Sequence, residues 1–246
     1  MRLDNVAKRY GFRLPWVFRD VTLEIPAGAL VRFEGKTGSG KSTLLRVIAG
    51  VSEPSRGNVT GRPVTGYVPE RFPPALPFPA RDYLSHIGRI HGLTGAALKS
   101  AIDACLDRLD GRELASVPLR HMSKGMSQKV AVAQALLPGG GLLVLDEAWT
   151  GLDAEAKTAL DQAVAERLAH GDSVVYVDHE PGRLAHLEAE RWRLDDGHAS
   201  RVTGDDSAGG VTAADGSACG GAATDGSAGG ATAADGRQRS APEDAP

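Results

Sequence analysis

Gly35-Lys36-Thr37-Gly38-Ser39-Gly40-Lys41-Ser42-Thr43 is a run of nine residues with three glycines. It fits G-x-x-x-x-G-K-[ST], with Gly35, Gly40, Lys41 and Ser42 on the fixed positions. Residues 29–34, just before it, are rich in apolar and β-favouring types and predict a short strand. Residues 42–49, just after it, predict a helix that buries Leu44, Leu45, Val47 and Ile48. Glycines let the backbone wrap until successive N–H groups converge on an anion. The helix N-terminus adds unpaired N–H groups and a favourable dipole. In such a loop the lysine reaches the β- and γ-phosphates and the hydroxyl after it ligates Mg²⁺. The stretch predicts a nucleotide site.

Toward the N-terminus, residues 2–34 predict β-structure, with Val21-Thr-Leu-Glu-Ile25 alternating apolar and polar as a half-buried strand does. Arg32 and Glu34 are unusual in a strand expected to be buried; at i, i+2 they share a face and could pair. Toward the C-terminus, residues 60–66 predict loop and turn, and Tyr67-Val-Pro-Glu70 ends a short strand. Pro69, Pro73, Pro74, Pro77 and Pro79 rule out regular helix and predict an extended surface loop. Residues 81–91 predict a helix with Tyr83, Leu84, Ile87 and Ile90 on one face. Residues 96–109 predict another, with Leu98, Ile102, Cys105, Leu106 and Leu109 at helical spacing. Ser123 predicts the N-cap of a helix over 123–137. Leu142-Leu-Val-Leu145 is a continuous apolar run, the pattern of a strand buried on both faces. It delivers Asp146 and Glu147 to its carboxyl end, where α/β sheets hold their ligands. A helix over 154–169 and a buried strand over 173–177, which delivers His179, come next. Two strands, at 191–194 and 198–202, close the fold around a turn at Asp195-Asp-Gly197.

The 246 residues suffice for one large α/β domain or two small ones. A formal net charge of −3 gives no basic field of the kind that binds nucleic acid. No apolar run approaches the roughly 20 residues of a membrane span. Met1-Arg-Leu-Asp-Asn5 lacks the apolar core of a signal peptide, so a cytoplasmic protein is expected. Cys105 and Cys219 lie in unlike surroundings and predict neither disulfide nor metal site. Beyond about residue 203 the composition changes. Three near-copies of S-A-x-G-x-x-A-x-D-G follow one another from Ser207 to Gly236. Units with almost no large apolar side chain cannot offset chain entropy, so residues 204–246 are expected to be a disordered acidic tail.

A phosphate loop alone leaves kinases, GTPases and many ATPases open. Leu142-Leu-Val-Leu-Asp-Glu147, together with Met122-Ser-Lys-Gly-Met126 one helix earlier, narrows the choice. The chain resembles the ATP-binding cassette family over residues 2 to about 202: a Walker A loop, a signature helix, then a Walker B strand ending in Asp-Glu. The Ser-Lys-Gly-Met form of the signature resembles ATPases of ABC-2-type exporters, which are separate subunits driving a membrane permease. The resemblance implies an α/β P-loop NTPase fold with an N-terminal antiparallel β subdomain and a helical signature subdomain at about 71–137, in a cassette of residues 1–203. It implies ATP and Mg²⁺ as ligands, a cassette dimer, and a peripheral position on the inner membrane face, with residues 71–91 meeting the permease.

It also implies roles. Gly35 to Thr43 would cradle the phosphates; Ser42 and Asp146 would serve Mg²⁺, with Glu70 where a glutamine is usual. Glu147 would be the general base and His179 the switch histidine at the γ-phosphate. Ser123 and Gly125 would donate to ATP held by the opposite subunit, and Thr150-Gly-Leu-Asp153 would form the D-loop, with Asp153 at the dimer contact. Tyr10 stands where the family stacks an aromatic ring on adenine, although Phe12 and Trp16 are close and any of the three could be core instead. His179 taken alone could be a satisfied surface histidine; the order of motifs favours the switch. Lys124 and Met126 depart from the usual signature, Ala148-Trp149 from the usual residues after the glutamate, and Asp178 from the usual threonine before the histidine. None of these departures removes a catalytic group.

Overall fold

The computed structural model describes residues 1–72, 76–180 and 182–202. Pro73 and Pro74 of the proline segment, and the repeat tail, lie outside the described residues. Two sheets carry the structure. The first is antiparallel, in the order β2–β1–β4, from β1 (Arg2–Lys8), β2 (Phe18–Glu24) and β4 (Arg56–Thr60). The second has six strands in the order β5–β6–β7–β3–β8–β9. They are β3 (Leu30–Glu34), β5 (Thr65–Val68), β6 (Leu142–Asp146), β7 (Ser173–Val177), β8 (Glu190–Asp195) and β9 (His198–Arg201). Pairing is parallel from β5 across to β8 and antiparallel only at β8–β9.

β6 and β7 are apolar along most of their length because each face of the sheet serves a different core. Successive side chains of a strand point to opposite faces. Leu143 and Leu145 of β6, and Val174 and Tyr176 of β7, join a core with the helices α2 (Ala80–Ile90), α3 (Gly95–Arg108), α4 (Lys124–Leu136) and α5 (Ala154–Ala169). Leu142 and Val144, Val175 and Val177 join the other core, with helix α1 (Lys41–Ile48) and the antiparallel sheet. Full burial of each such side chain contributes roughly 1.5–3 kcal/mol, so both faces resist polar substitution.

Helix α4 lies so close to β5 that a Cβ on Gly66 would sit 1.9 Å from the Ala135 carbonyl oxygen. Only glycine fits at that crossing. The expected pairing of Arg32 with Glu34 is present at 3.4 Å, and the Arg191 guanidinium on β8 also grips Glu34, at 2.8 and 2.9 Å.

Three expectations need correction. Ile90 does not join the buried face of α2: it is 76% exposed, and Ala80, Leu84 and Gly88 form that face, with Tyr83 and Ile87 packed partly against the core. Gly88 admits Leu98 of α3 to the contact, which turns the interface away from Ile90. The proline segment is not purely surface, because Phe72 is buried and meets Tyr83 edge to face. Finally, the loop expected over 60–66 is shorter, because Thr60 ends β4 and Thr65 opens β5; the residues of β4 are mostly exposed and polar, so no periodicity marks it.

Candidate functional site

The site forms where the parallel strands end. β3 runs directly into the phosphate loop and α1. Gly35, with φ of 145°, lies against β8: a Cβ there would be 2.2 Å from the Leu194 carbonyl oxygen. Gly40, with φ of 102°, stands at the N-cap of α1, and no side chain caps that helix. Its first N–H groups are therefore left to an incoming anion. Lys36, Thr37 and Gly38 are exposed at the rim, and Thr43 is buried in the first helical turn. Lys41 is buried as a residue, and its ammonium folds back onto the loop, donating to the carbonyl oxygens of Gly35 at 2.8 Å and Lys36 at 2.7 Å. Burial lowers its pKa, against the opposing charges of Glu147, Asp146 and Glu70.

Strand β6 contributes the acids. Ser42 Oγ donates to Asp146 Oδ1 at 3.0 Å, joining the loop to the end of β6. The other carboxylate oxygen, Asp146 Oδ2, is buried without a hydrogen-bond partner, as is Ser39 Oγ in the loop itself. Orphaned buried oxygens are rare in folded proteins and mark places where a ligand belongs. Among the described residues no three His, Cys, Asp or Glu side chains gather to hold a metal unaided. Mg²⁺ takes one or two carboxylates plus phosphate oxygens and keeps water. A hydroxyl, a buried carboxylate with an unused oxygen and the phosphate cradle beside them fit that ion.

Burial pushes the Asp146 carboxyl up to about 6, opposed by the Ser42 hydrogen bond and reinforced by the charges of Glu70 and Glu147. Its unfolded value is about 3.9. Between those values the folded chain binds more protons than the unfolded chain, so this group's contribution to stability falls as pH rises through the window and is lowest above it. Asp146→Asn is accordingly expected to stabilise the nucleotide-free chain at pH 7.5 by about 1–3 kcal/mol. The gain should shrink as the pH approaches 4, and urea unfolding at the two pH values checks both parts.

Register brings the remaining groups together. Asp146 pairs with Val177 across β6 and β7, so Glu147 and His179 leave adjacent strand ends. Glu147 adopts a left-handed φ of 52°, with its N–H bonded to the Val177 carbonyl at 2.9 Å. Such strain in a non-glycine residue is typical of functional positions. Its Oε1 lies 2.7 Å from His179 Nε2. Glu70 follows β5, whose Val68 pairs with Leu145 of β6, and it lines a groove of about 540 Å³ with Glu147, Lys124 and Gln128.

Other expected residues fall elsewhere. Tyr10 is not core: it is 57% exposed, with its hydroxyl 3.3 Å from Thr43 Oγ1. Phe12 is 84% exposed, and Trp16, half-buried, stacks between Arg9 and Arg56. Ser123 caps α4 by accepting from the Met126 N–H at 3.2 Å. Gly125 abuts the Gly151 carbonyl, and Asp153 caps α5 while pairing with Lys129 at 2.8 Å. The structure thus joins Ser123 to Met126 with the Thr150–Asp153 loop. A cavity of about 610 Å³ lined by Gly35, Lys41 and His179 contains none of residues 122–126 among the described residues. Residues not anticipated from sequence include Tyr67, whose hydroxyl is pushed up to about 12 by burial with the Asp146 charge adding to it. Gln128 was also unanticipated; its amide holds the Ala148 carbonyl at 2.9 Å, just after Glu147. A buried polar residue inside the apolar stripe of α4 was the available signal.

Known proteins place this geometry. Residues 18–150 match the ABC transporter family. The zinc import ATP-binding protein ZnuC of Roseobacter denitrificans is 36% identical over 183 residues, covering 72% of this chain and 68% of that protein. The cytochrome c biogenesis ATP-binding export protein CcmA of Novosphingobium aromaticivorans is 31% identical over 177 residues, covering 72% and 87%. The Nod factor export ATP-binding protein I of Sinorhizobium fredii is 32% identical, and the match spans 55% of its length. Among solved structures, the ATP-binding subunit of an ABC transporter superposes with a TM-score of 0.72 at 26% identity, over 83% of this chain and 90% of that one. A dimeric bacterial ABC transporter cassette shares the fold with a TM-score of 0.71 at 24% identity, over 82% of this chain and 99% of that one. With the phosphate loop, the signature helix and the Asp146–Glu147 strand end in this order, the chain belongs to the ABC transporter family as an ATP-binding, ATP-hydrolysing cassette.

Proposed function

We propose that the chain is the ATP-hydrolysing subunit of an export system, working as a cassette dimer on a separate membrane permease. The observation that carries the catalytic part is the meeting of Ser42 with Asp146 at 3.0 Å and of Glu147 with His179 at 2.7 Å, on adjacent strand ends beside Lys41. Lys41 leaves the loop carbonyls to hold the β- and γ-phosphates, and the N–H groups of Gly38 to Thr43 surround them. Ser42, Asp146 and Glu70 would hold Mg²⁺, which when bound neutralises charge on the phosphate oxygens. Glu147 accepts the proton of the attacking water, and His179, hydrogen-bonded to it, faces the γ-phosphate. Tyr10 stacks on adenine, a role supported by its exposed ring beside Thr43.

Ser123 and Gly125 act on the ATP of a second chain, and Asp153 lies at that contact. Support comes from the dimeric bacterial ABC transporter cassette that shares this fold. Export rests on the Ser-Lys-Gly-Met signature, since the relatives include proteins named for import and for export. No helix among the described residues is long and apolar enough to cross a membrane. The membrane connection therefore runs through a permease met by residues around Phe72 and α2, on the cytoplasmic face. No nucleic-acid partner is expected, given the balanced charge.

The test is a pull-down from detergent-solubilised native membranes, with full-length N-terminally tagged protein and Mg-ATP. A polytopic membrane protein is expected to co-purify. Recovery of ribosomes or DNA-binding proteins with no membrane protein would contradict the transport role.

A further inference from the structure

His179 is 63% exposed in its side chain, and its imidazole rests on Glu147. Its position depends on the backbone that follows β7, and that backbone is tied down at Arg183. The Arg183 side chain is 11% exposed. Its Nη1 donates to Asp161 Oδ2 at 3.0 Å, and its Nη2 donates to Glu180. Its carbonyl accepts from the Tyr176 hydroxyl at 3.3 Å. The other Asp161 oxygen accepts from Trp149 Nε1 at 2.8 Å, and the Arg183 guanidinium lies 5.5 Å from the centre of the Trp149 ring. Trp149 is 2% exposed and meets Tyr176 edge to face. Leu184, the next residue, is buried with a left-handed φ of 57°, so the chain is held there against its own preference.

Trp149 comes two residues after Glu147, and Arg183 four residues after His179. One carboxylate on α5, Asp161, therefore fastens both loops that leave the paired strand ends. A planar guanidinium is suited to this: it bonds two carboxylates in its plane while its face meets an aromatic ring. Trp149 stands at one of the departures from the usual family sequence, so the clamp belongs to this chain's own residues.

We propose that Arg183, through Asp161 and Trp149, is a positioning residue that holds His179 against Glu147 for hydrolysis. The proposal rests on the roles given above to Glu147 and His179. Groups that position a catalytic side chain lower kcat without changing substrate binding.

The experiment measures kcat and KM for ATP with full-length Arg183→Gln, His179→Ala and the double variant. Arg183→Gln is expected to lower kcat about tenfold or more with KM within about twofold, and to cost nothing further in the His179→Ala background, because residues acting through one another are non-additive. Trp149→Phe, which keeps an aromatic ring but loses the indole N–H, should lower kcat in the same non-additive way and stands in should Arg183→Gln fail to fold. If His179→Ala lowers kcat while Arg183→Gln and Trp149→Phe do not, or if their effects multiply with it, the clamp is refuted and the role of His179 stands. A wild-type kcat for His179→Ala would refute that role and the clamp with it.

Discussion

Glu147→Gln is expected to reduce ATP turnover by about 10²–10⁴-fold, the contribution of a positioned general base. The substitution keeps the size of the side chain and its contact with the His179 ring, and removes the basic oxygen. Because Lys41, Ser42 and Asp146 are untouched, nucleotide binding should survive. ATP then persists between two chains, and the variant should accumulate as an ATP-bound dimer where the wild type turns over and separates. Single-turnover hydrolysis and light scattering with Mg-ATP check the two halves. A rate equal to wild type would remove Glu147 from the role of base and leave its left-handed backbone unexplained.

Lys41→Ala acts one step earlier. In the nucleotide-free chain the ammonium bonds the Gly35 and Lys36 carbonyl oxygens, within a site that also holds Asp146, Glu147 and Glu70. Without it those three carboxylates face the triphosphate uncompensated. A charge-assisted hydrogen bond contributes about 1.5–3 kcal/mol, so ATP affinity should fall roughly 10–150-fold, and hydrolysis should be lost with it. Titration with a fluorescent ATP analogue measures the first effect. Retention of wild-type affinity would mean that the loop N–H groups alone hold the phosphates.

How much of this was legible in the sequence differs by residue. Lys41, Ser42, Asp146 and Glu147 announce themselves because motif spacing and an all-apolar strand are local signals. The double use of β6 and β7 by two cores explains why that strand lacks alternation. Ile90 was misread because helical spacing defines a stripe without saying how wide a neighbour covers it; Gly88 centres the contact elsewhere. β4 was silent because an exposed edge strand has no core to pattern it. The Trp149–Asp161–Arg183 set was illegible for another reason. Its members are 12 and 22 residues apart, and only the passage from β6 through α5 to β7 brings them together. Ser123 is legible as the cap of α4, and its side chain accepts from the Met126 N–H as expected, whereas the capping of α5 by Asp153 becomes visible only in the fold.

Hydrolysis is expected to need the signature of one chain and the phosphate loop of another. Phosphate release by Ser123→Arg, alone and mixed with Lys41→Ala, tests it most directly. Each variant is expected to be inert by itself and the mixture to recover activity, because each supplies the half the other lacks. Wild-type turnover by Ser123→Arg alone would contradict it.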